Sequence, residues 1–82
     1  MDAFAIKIRK LREVYGYPQE YVAYQMGISQ AAYSKKETGK TELSLMGLQQ
    51  VSQLYNVPLI DLISLTWQDL VVNVVRKTNL PN

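Results

Sequence analysis

The chain has no cysteine and no histidine among its 82 residues. Lacking cysteine, it cannot form disulfide staples, thiolate zinc sites or a thiol nucleophile. Lacking histidine, it has neither the commonest general base nor the commonest metal ligand. There is also no apolar run of about 18 residues, the length that a membrane-spanning helix needs. Met1, Asp2 and Ala3 do not open a basic segment leading into an apolar one. The expectation is therefore a soluble, cytoplasmic protein with no metal and no cofactor. An enzyme is not expected either. The seven acidic residues are scattered without a pair on one face, and Ser34 and Lys35 are adjacent, so they do not align along a helix.

What is present suits one small helical domain. Hydrophobic residues make up 48% of the chain, enough for a core and too many for a disordered segment. A domain of this size buries only roughly 60% of the surface its unfolded chain exposes, so short helices with short connections are favoured. The net charge of +2 is unevenly spread. Seven basic residues lie between Lys7 and Lys40 against Glu13, Glu20 and Glu37, a local balance of +4, whereas Thr41 to Asn82 carries −1. A basic half fits a polyanionic partner; the plainer reading is a set of ordinary solvated lysines and arginines.

Apolar periodicity and capping residues divide the chain into helices. Phe4, Ile8, Leu11 and Val14 recur at helical spacing, and Gly16 ends that first segment. Pro18 suits the opening of a second helix, which presents Val22, Ala23 and Met26 inward and stops at Gly27. Ser29 is an N-cap for a third helix ending near Glu37. Such a short break makes the second and third helices cross steeply, as in a helix-turn-helix. Ser44 caps a fourth helix bearing Leu45, Leu48, Val51, Leu54 and Tyr55; Gly47 inside it costs about 1 kcal/mol relative to alanine, which leaves a close backbone contact there open. Asn56 takes the left-handed cap position, and Pro58 starts a fifth helix through Ile63.

Beyond that point two conformations compete. Thr66 with Asp69 resembles a capping box, and Trp67, Leu70, Val71, Val74 and Val75 keep helical spacing, which favours a sixth helix. The β-branched Val71, Val72, Val74 and Val75 favour a strand. Residues 77–82 read as a frayed tail.

From Ile8 to Ile63, about two thirds of the chain, the sequence resembles the Cro/C1-type family of phage-repressor and Xre-like helix-turn-helix proteins. The likeness is carried by Ile8, Arg9 and Leu11, then Gln19, Ala23, Gly27, Ser29, Ser34, Glu37, Gly39 and Lys40, and finally Leu48, Leu54, Val57 and Leu62. It implies an all-α, compact, five-helix lambda-repressor-like domain, assigned to residues 1–65; the helical spacing beyond it makes 66–82 an amphipathic extension, expected as a sixth helix with a frayed tail. It also implies a homodimer on an inverted-repeat operator in double-stranded DNA, acting as a transcriptional regulator, commonly a repressor. Three positions depart from the family pattern. Lys36 replaces a bulky apolar residue, Pro18 a small hydroxyl residue, and Ser52 an alanine. A lysine stem can cover apolar surface while its amine reaches water, and the Ser52 hydroxyl is expected to bond within its helix.

Chemistry gives these positions roles. Gln30 carries a bidentate amide suited to adenine, Ala31 a methyl for thymine, Ser34 a hydroxyl, and Lys35 a cation for guanine or phosphate, so these four are the candidate base readers. Gln19, at a helix N-terminus, corresponds to the family's backbone-phosphate contact. Ser29, Arg9, Arg12, Lys36 and Lys40 are further phosphate candidates. The plainer reading makes Gln19 and Gln30 solvated helix residues and Lys36 and Lys40 surface charges. Glu37 is expected to be structural, bound to Arg9 or Arg12, because a carboxylate facing DNA would repel its backbone. Because the family is generally apolar at the positions of Tyr17, Tyr33 and Tyr55, the resemblance assigns these to the core or its edge; Tyr21 and Tyr24 are expected at the surface.

Trp67, Leu70, Val71, Val74 and Val75 are the candidate dimerisation residues. The competing assignment folds this stretch back onto its own first and fifth helices. The competing function keeps the fold but serves a protein partner, as an antitoxin or accessory factor does.

Overall fold

The computed structural model describes residues 3–78. They form α1 (Ala3–Tyr15), α2 (Gln19–Met26), α3 (Gln30–Glu37), α4 (Leu45–Tyr55), α5 (Leu59–Ser64) and α6 (Trp67–Thr78). There is no strand among the described residues.

Local sequence determines where the helices start and stop. Gly16, Gly27 and Asn56 adopt left-handed backbone at φ 71°, 72° and 53°, which ends α1, α2 and α4. The Ser29 hydroxyl accepts from Ala32 N–H at 3.1 Å and the Ser44 hydroxyl from Gly47 N–H at 3.0 Å, filling orphan amides of α3 and α4. Pro18 and Pro58 occupy the cap positions before α2 and α5, one residue earlier than the expected first helical position. Thr66 accepts from Asp69 N–H at 3.1 Å, so the chain beyond α5 starts as a helix rather than a strand.

One continuous core joins all six helices. It contains Ile8 and Leu11 of α1, Val22, Ala23 and Met26 of α2, Tyr33 of α3 and Leu48, Val51 and Tyr55 of α4. Val57, Leu62 of α5 and Leu70 and Val74 of α6 complete it. α2 packs on α3, α1 on α3 and on α6, and α4 on both α2 and α5. Gly47 is buried here, and a Cβ on it would lie 3.0 Å from a Leu43 methyl carbon, tight enough to require a shift.

Several helix ends are closed by distant side chains. Lys7 is buried, and its ammonium donates to the carbonyls of Leu62 (2.8 Å) and Ile63 (3.3 Å) near the C-terminus of α5, where a cation also meets the negative end of the helix dipole. Burial lowers the Lys7 pKa from its ordinary value. The Gln50 amide donates to Met26 O at 3.2 Å, and the Tyr15 hydroxyl to Tyr55 O at 2.9 Å. Lys77 donates to Asn56 O at 2.8 Å.

Two expectations need correcting here. The Ser52 hydroxyl does not bond within α4; it donates across the helix end to Val57 O at 2.6 Å. Lys77 and Thr78 belong to α6 rather than to a tail, and the rest of the expected tail, 79–82, lies outside the described residues, as do Met1 and Asp2.

Candidate nucleic-acid interface

α3 has two sides with different chemistry. Tyr33 and Glu37, one turn apart, point into the core at 0% and 5% exposure. Gln30, Ala31 and Lys35 are exposed and Ser34 is partly so; their spacing puts these four candidate base readers on one continuous strip, with Gln30 and Ser34 beside the buried pair and Ala31 and Lys35 facing away from it. Among the described residues, no side-chain hydrogen bond occupies the Gln30 amide or the Lys35 ammonium. The strip thus offers an amide, a methyl, a hydroxyl and a cation side by side.

The buried edge of α3 is held by one carboxylate. Glu37 accepts from Arg12 Nε at 2.5 Å and Nη2 at 3.2 Å, from the Tyr33 hydroxyl at 2.5 Å, and from the Gln19 amide at 3.1 Å. Burial by itself would raise the Glu37 pKa; the bonds from Arg12, Tyr33 and Gln19 outweigh it and hold the carboxyl below its ordinary value. The same bond raises the Arg12 pKa. Burial first, and then the neighbouring carboxylate, drive the Tyr33 hydroxyl pKa strongly upward, so it remains a donor.

This arrangement reassigns one candidate. Arg12, expected as a phosphate contact, is a structural residue: both ends of its guanidinium are engaged, Nη1 donating to Tyr17 O at 3.0 Å, and its side chain is only 17% exposed. The anticipated choice for Glu37 between Arg9 and Arg12 falls to Arg12.

The other phosphate candidates lie at the surface. Arg9 and Lys40 are exposed, and Ser29, while capping α3, retains a hydroxyl proton for an outside acceptor. Lys36 is half-buried and its ammonium donates to Glu42 O at 3.3 Å, so its stem lies along the protein while its head stays at the edge of the α3–α4 loop. Gln19 is half-buried, with one amide bond committed to Glu37. Pro18 supplies no side-chain cap to α2, so the first amides of that helix remain open to an anion beside Gln19.

The candidate dimerisation residues divide. Leu70 and Val74, at 1% and 3% exposure, lie in the chain's own core, which corrects their assignment to an interface with a second copy. The reason is that α6 folds back along α1, where its i, i+4 pair fills space that five helices leave open. Trp67 and Val71 are half-buried, with the Lys10 ammonium 4.9 Å from the centre of the Trp67 ring, and Val75 is 39% exposed.

Of the tyrosines, Tyr33 and Tyr55 are buried, Tyr17 is half-buried, and Tyr21 and Tyr24 are exposed. Sequence reasoning missed Lys7, Gln50 and Tyr15 as cross-helix partners. Phe4, Lys7 and Lys10 on successive turns of α1 carried a signal for Lys7, because Lys7 falls on the side of α1 that carries the apolar Phe4, Ile8 and Leu11.

Among the described residues, no cluster of three or more acidic residues could hold a metal, and no helix is long and apolar enough to cross a membrane. No curated protein and no solved structure gives a match. A family model described as helix-turn-helix matches residues 8–62, more than half of the chain and nearly the span of the resemblance in sequence. With α2 and α3 in the required order and α3 presenting an open polar strip, the chain belongs to the Cro/C1-type helix-turn-helix family of DNA-binding transcriptional regulators.

Proposed function

We propose that the protein is a cytoplasmic transcriptional repressor that binds an inverted-repeat operator in double-stranded DNA as a homodimer. The observation that carries this reading is the outward strip of Gln30, Ala31, Ser34 and Lys35 on α3, beside the buried Tyr33 and Glu37. Set into a major groove, Gln30 pairs with adenine N6 and N7, Ala31 meets a thymine methyl, and Lys35 reaches guanine acceptors or phosphate. Gln19, Ser29, Arg9, Lys36 and Lys40 neutralise or bond the backbone on either side and set the docking angle.

One such helix reads only a few base pairs. Two copies about 34 Å apart read an inverted repeat, which is why a dimer belongs to the proposal. Candidates for its surface are the apolar side chains left exposed on α5 (Ile60 and Ile63) and on α6 (Val72 and Val75). Residues 1–65 are the reading unit, and α6 serves both the core and assembly.

A second reading, a module that binds another protein, is favoured by Tyr24, which is 79% exposed on α2. The two readings separate on salt. Binding to a labelled mixed-sequence duplex is to be measured over a series of salt concentrations for the wild type and for Arg9→Ala and Lys40→Ala. A DNA binder loses affinity steeply with salt, and each lost phosphate contact flattens the slope by about one unit. Salt-insensitive association, unaffected by competing duplex, contradicts DNA binding and favours the protein partner.

A further inference from the structure

We propose that Glu37 is a positioning residue for DNA: from inside the fold it orients the Gln19 amide so that its second N–H is offered to a backbone phosphate. This inference rests on reading Gln19 as a phosphate contact.

The geometry has three parts. A carboxylate only accepts hydrogen bonds, so the Gln19 side chain must turn its nitrogen, not its oxygen, toward Glu37, as the 3.1 Å contact has it. One amide hydrogen is then spent inward, and the other is directed away from Glu37 at the start of α2. Second, Glu37 cannot turn to follow Gln19. Arg12 grips both of its oxygens and the Tyr33 hydroxyl a further site, and the residue is 5% exposed. Third, the ligand class matches. A phosphate oxygen is also only an acceptor, so an amide turned the other way would present it with a repelling oxygen. The carboxylate buried behind Gln19 therefore selects the one amide orientation that suits DNA, without touching DNA.

The test is a double-mutant cycle in the full chain. Affinity for a mixed-sequence DNA duplex is measured for wild type, Gln19→Ala, Glu37→Gln and the double variant, with Leu70→Ala as control and thermal melts to establish that each is folded. Gln19→Ala is expected to weaken binding roughly fivefold, the equivalent of one net hydrogen bond. Glu37→Gln should weaken it comparably, and the double variant should be no weaker than Gln19→Ala alone. Leu70→Ala removes a core side chain that has no bond to Gln19 or Glu37, so it should lower stability while leaving DNA affinity unchanged. Independent, additive losses, or unaltered binding in folded Glu37→Gln, would overturn the proposal while leaving the phosphate contact intact. If Gln19→Ala itself has no effect, the reading of Gln19 fails first. Should Glu37→Gln not fold, the wild-type Gln19 side-chain amide protons decide by NMR. One shifted and exchange-protected proton in the free protein, with the other moving when duplex is added, is expected; two equivalent, unprotected protons contradict the inference.

Discussion

Arg12 of α1 and Glu37 of α3 are joined by two hydrogen bonds, at 2.5 and 3.2 Å, with the carboxylate side chain only 2% exposed. A buried pair of this kind is costly to break, because the surviving partner is left charged and unpaired. Arg12→Met is expected to lower stability by about 3 kcal/mol, read from the midpoint of urea unfolding at constant slope. A loss too small to resolve would mean that water reaches Glu37.

The same carboxylate gives the fold an acid-sensitive limb. Because the Glu37 pKa is depressed in the folded state, the unfolded chain takes up its proton first as the pH falls. The contribution is complete above the ordinary carboxyl range and declines as the pH drops through that range toward the lower folded value. Thermal melts from neutral to acidic pH should show this decline in the wild type. Glu37→Gln should be less stable at neutral pH yet show a flatter acid limb; an unchanged limb would assign it to other carboxylates.

Tyr33 and Tyr55 are both buried, but their hydroxyls differ. That of Tyr33 donates to Glu37 at 2.5 Å, whereas that of Tyr55 has no hydrogen-bond partner among the described residues. Tyr33→Phe should cost about 2 kcal/mol, the range for a bond to a charged group. Tyr55→Phe removes an unsatisfied polar atom and should raise stability by up to about 1 kcal/mol, while its ring keeps its place 5.0 Å from Tyr15. Chemical denaturation of the two variants side by side tests the contrast. Equal losses would contradict it.

Leu70 offers a check on the role of α6. Leu70→Ala is expected to lower stability by about 3 kcal/mol through the cavity it leaves in the core. The loss should be the same at every protein concentration. A melting temperature that rises with concentration in the wild type, and loses that dependence in Leu70→Ala, would return this residue to an interface between copies.

How much of this could be read from sequence depended on range. Gly16, Gly27, Ser29, Ser44 and Asn56 act on backbone within a few residues of themselves, so the helix limits they set were legible. Lys7 and Gln50 act on carbonyls 55 and 24 residues away; the apolar side of α1 on which Lys7 falls signals its burial, but nothing near either residue identifies its partner. Arg9 and Arg12 stood as equal candidates for Glu37 because spacing alone does not say how α1 rotates against α3. The valines of α6 gave mixed signals for a similar reason. β-Branched side chains weaken a helix locally, and packing of Leu70 and Val74 on the core overrides that preference. For the candidate site, the outward strip of α3 followed from periodicity. Which residues support it from below was fixed by tertiary packing and was visible only in the fold.

Selection of bound duplexes from a randomised pool, at two salt concentrations and with Gln30→Ala in parallel, tests most directly whether α3 reads bases. The expected result is an enriched inverted repeat at both salts, with one position in each half-site losing definition in Gln30→Ala and the remaining positions retained. Enrichment of no preferred duplex, or a repeat unchanged by Gln30→Ala, would contradict base reading by this strip.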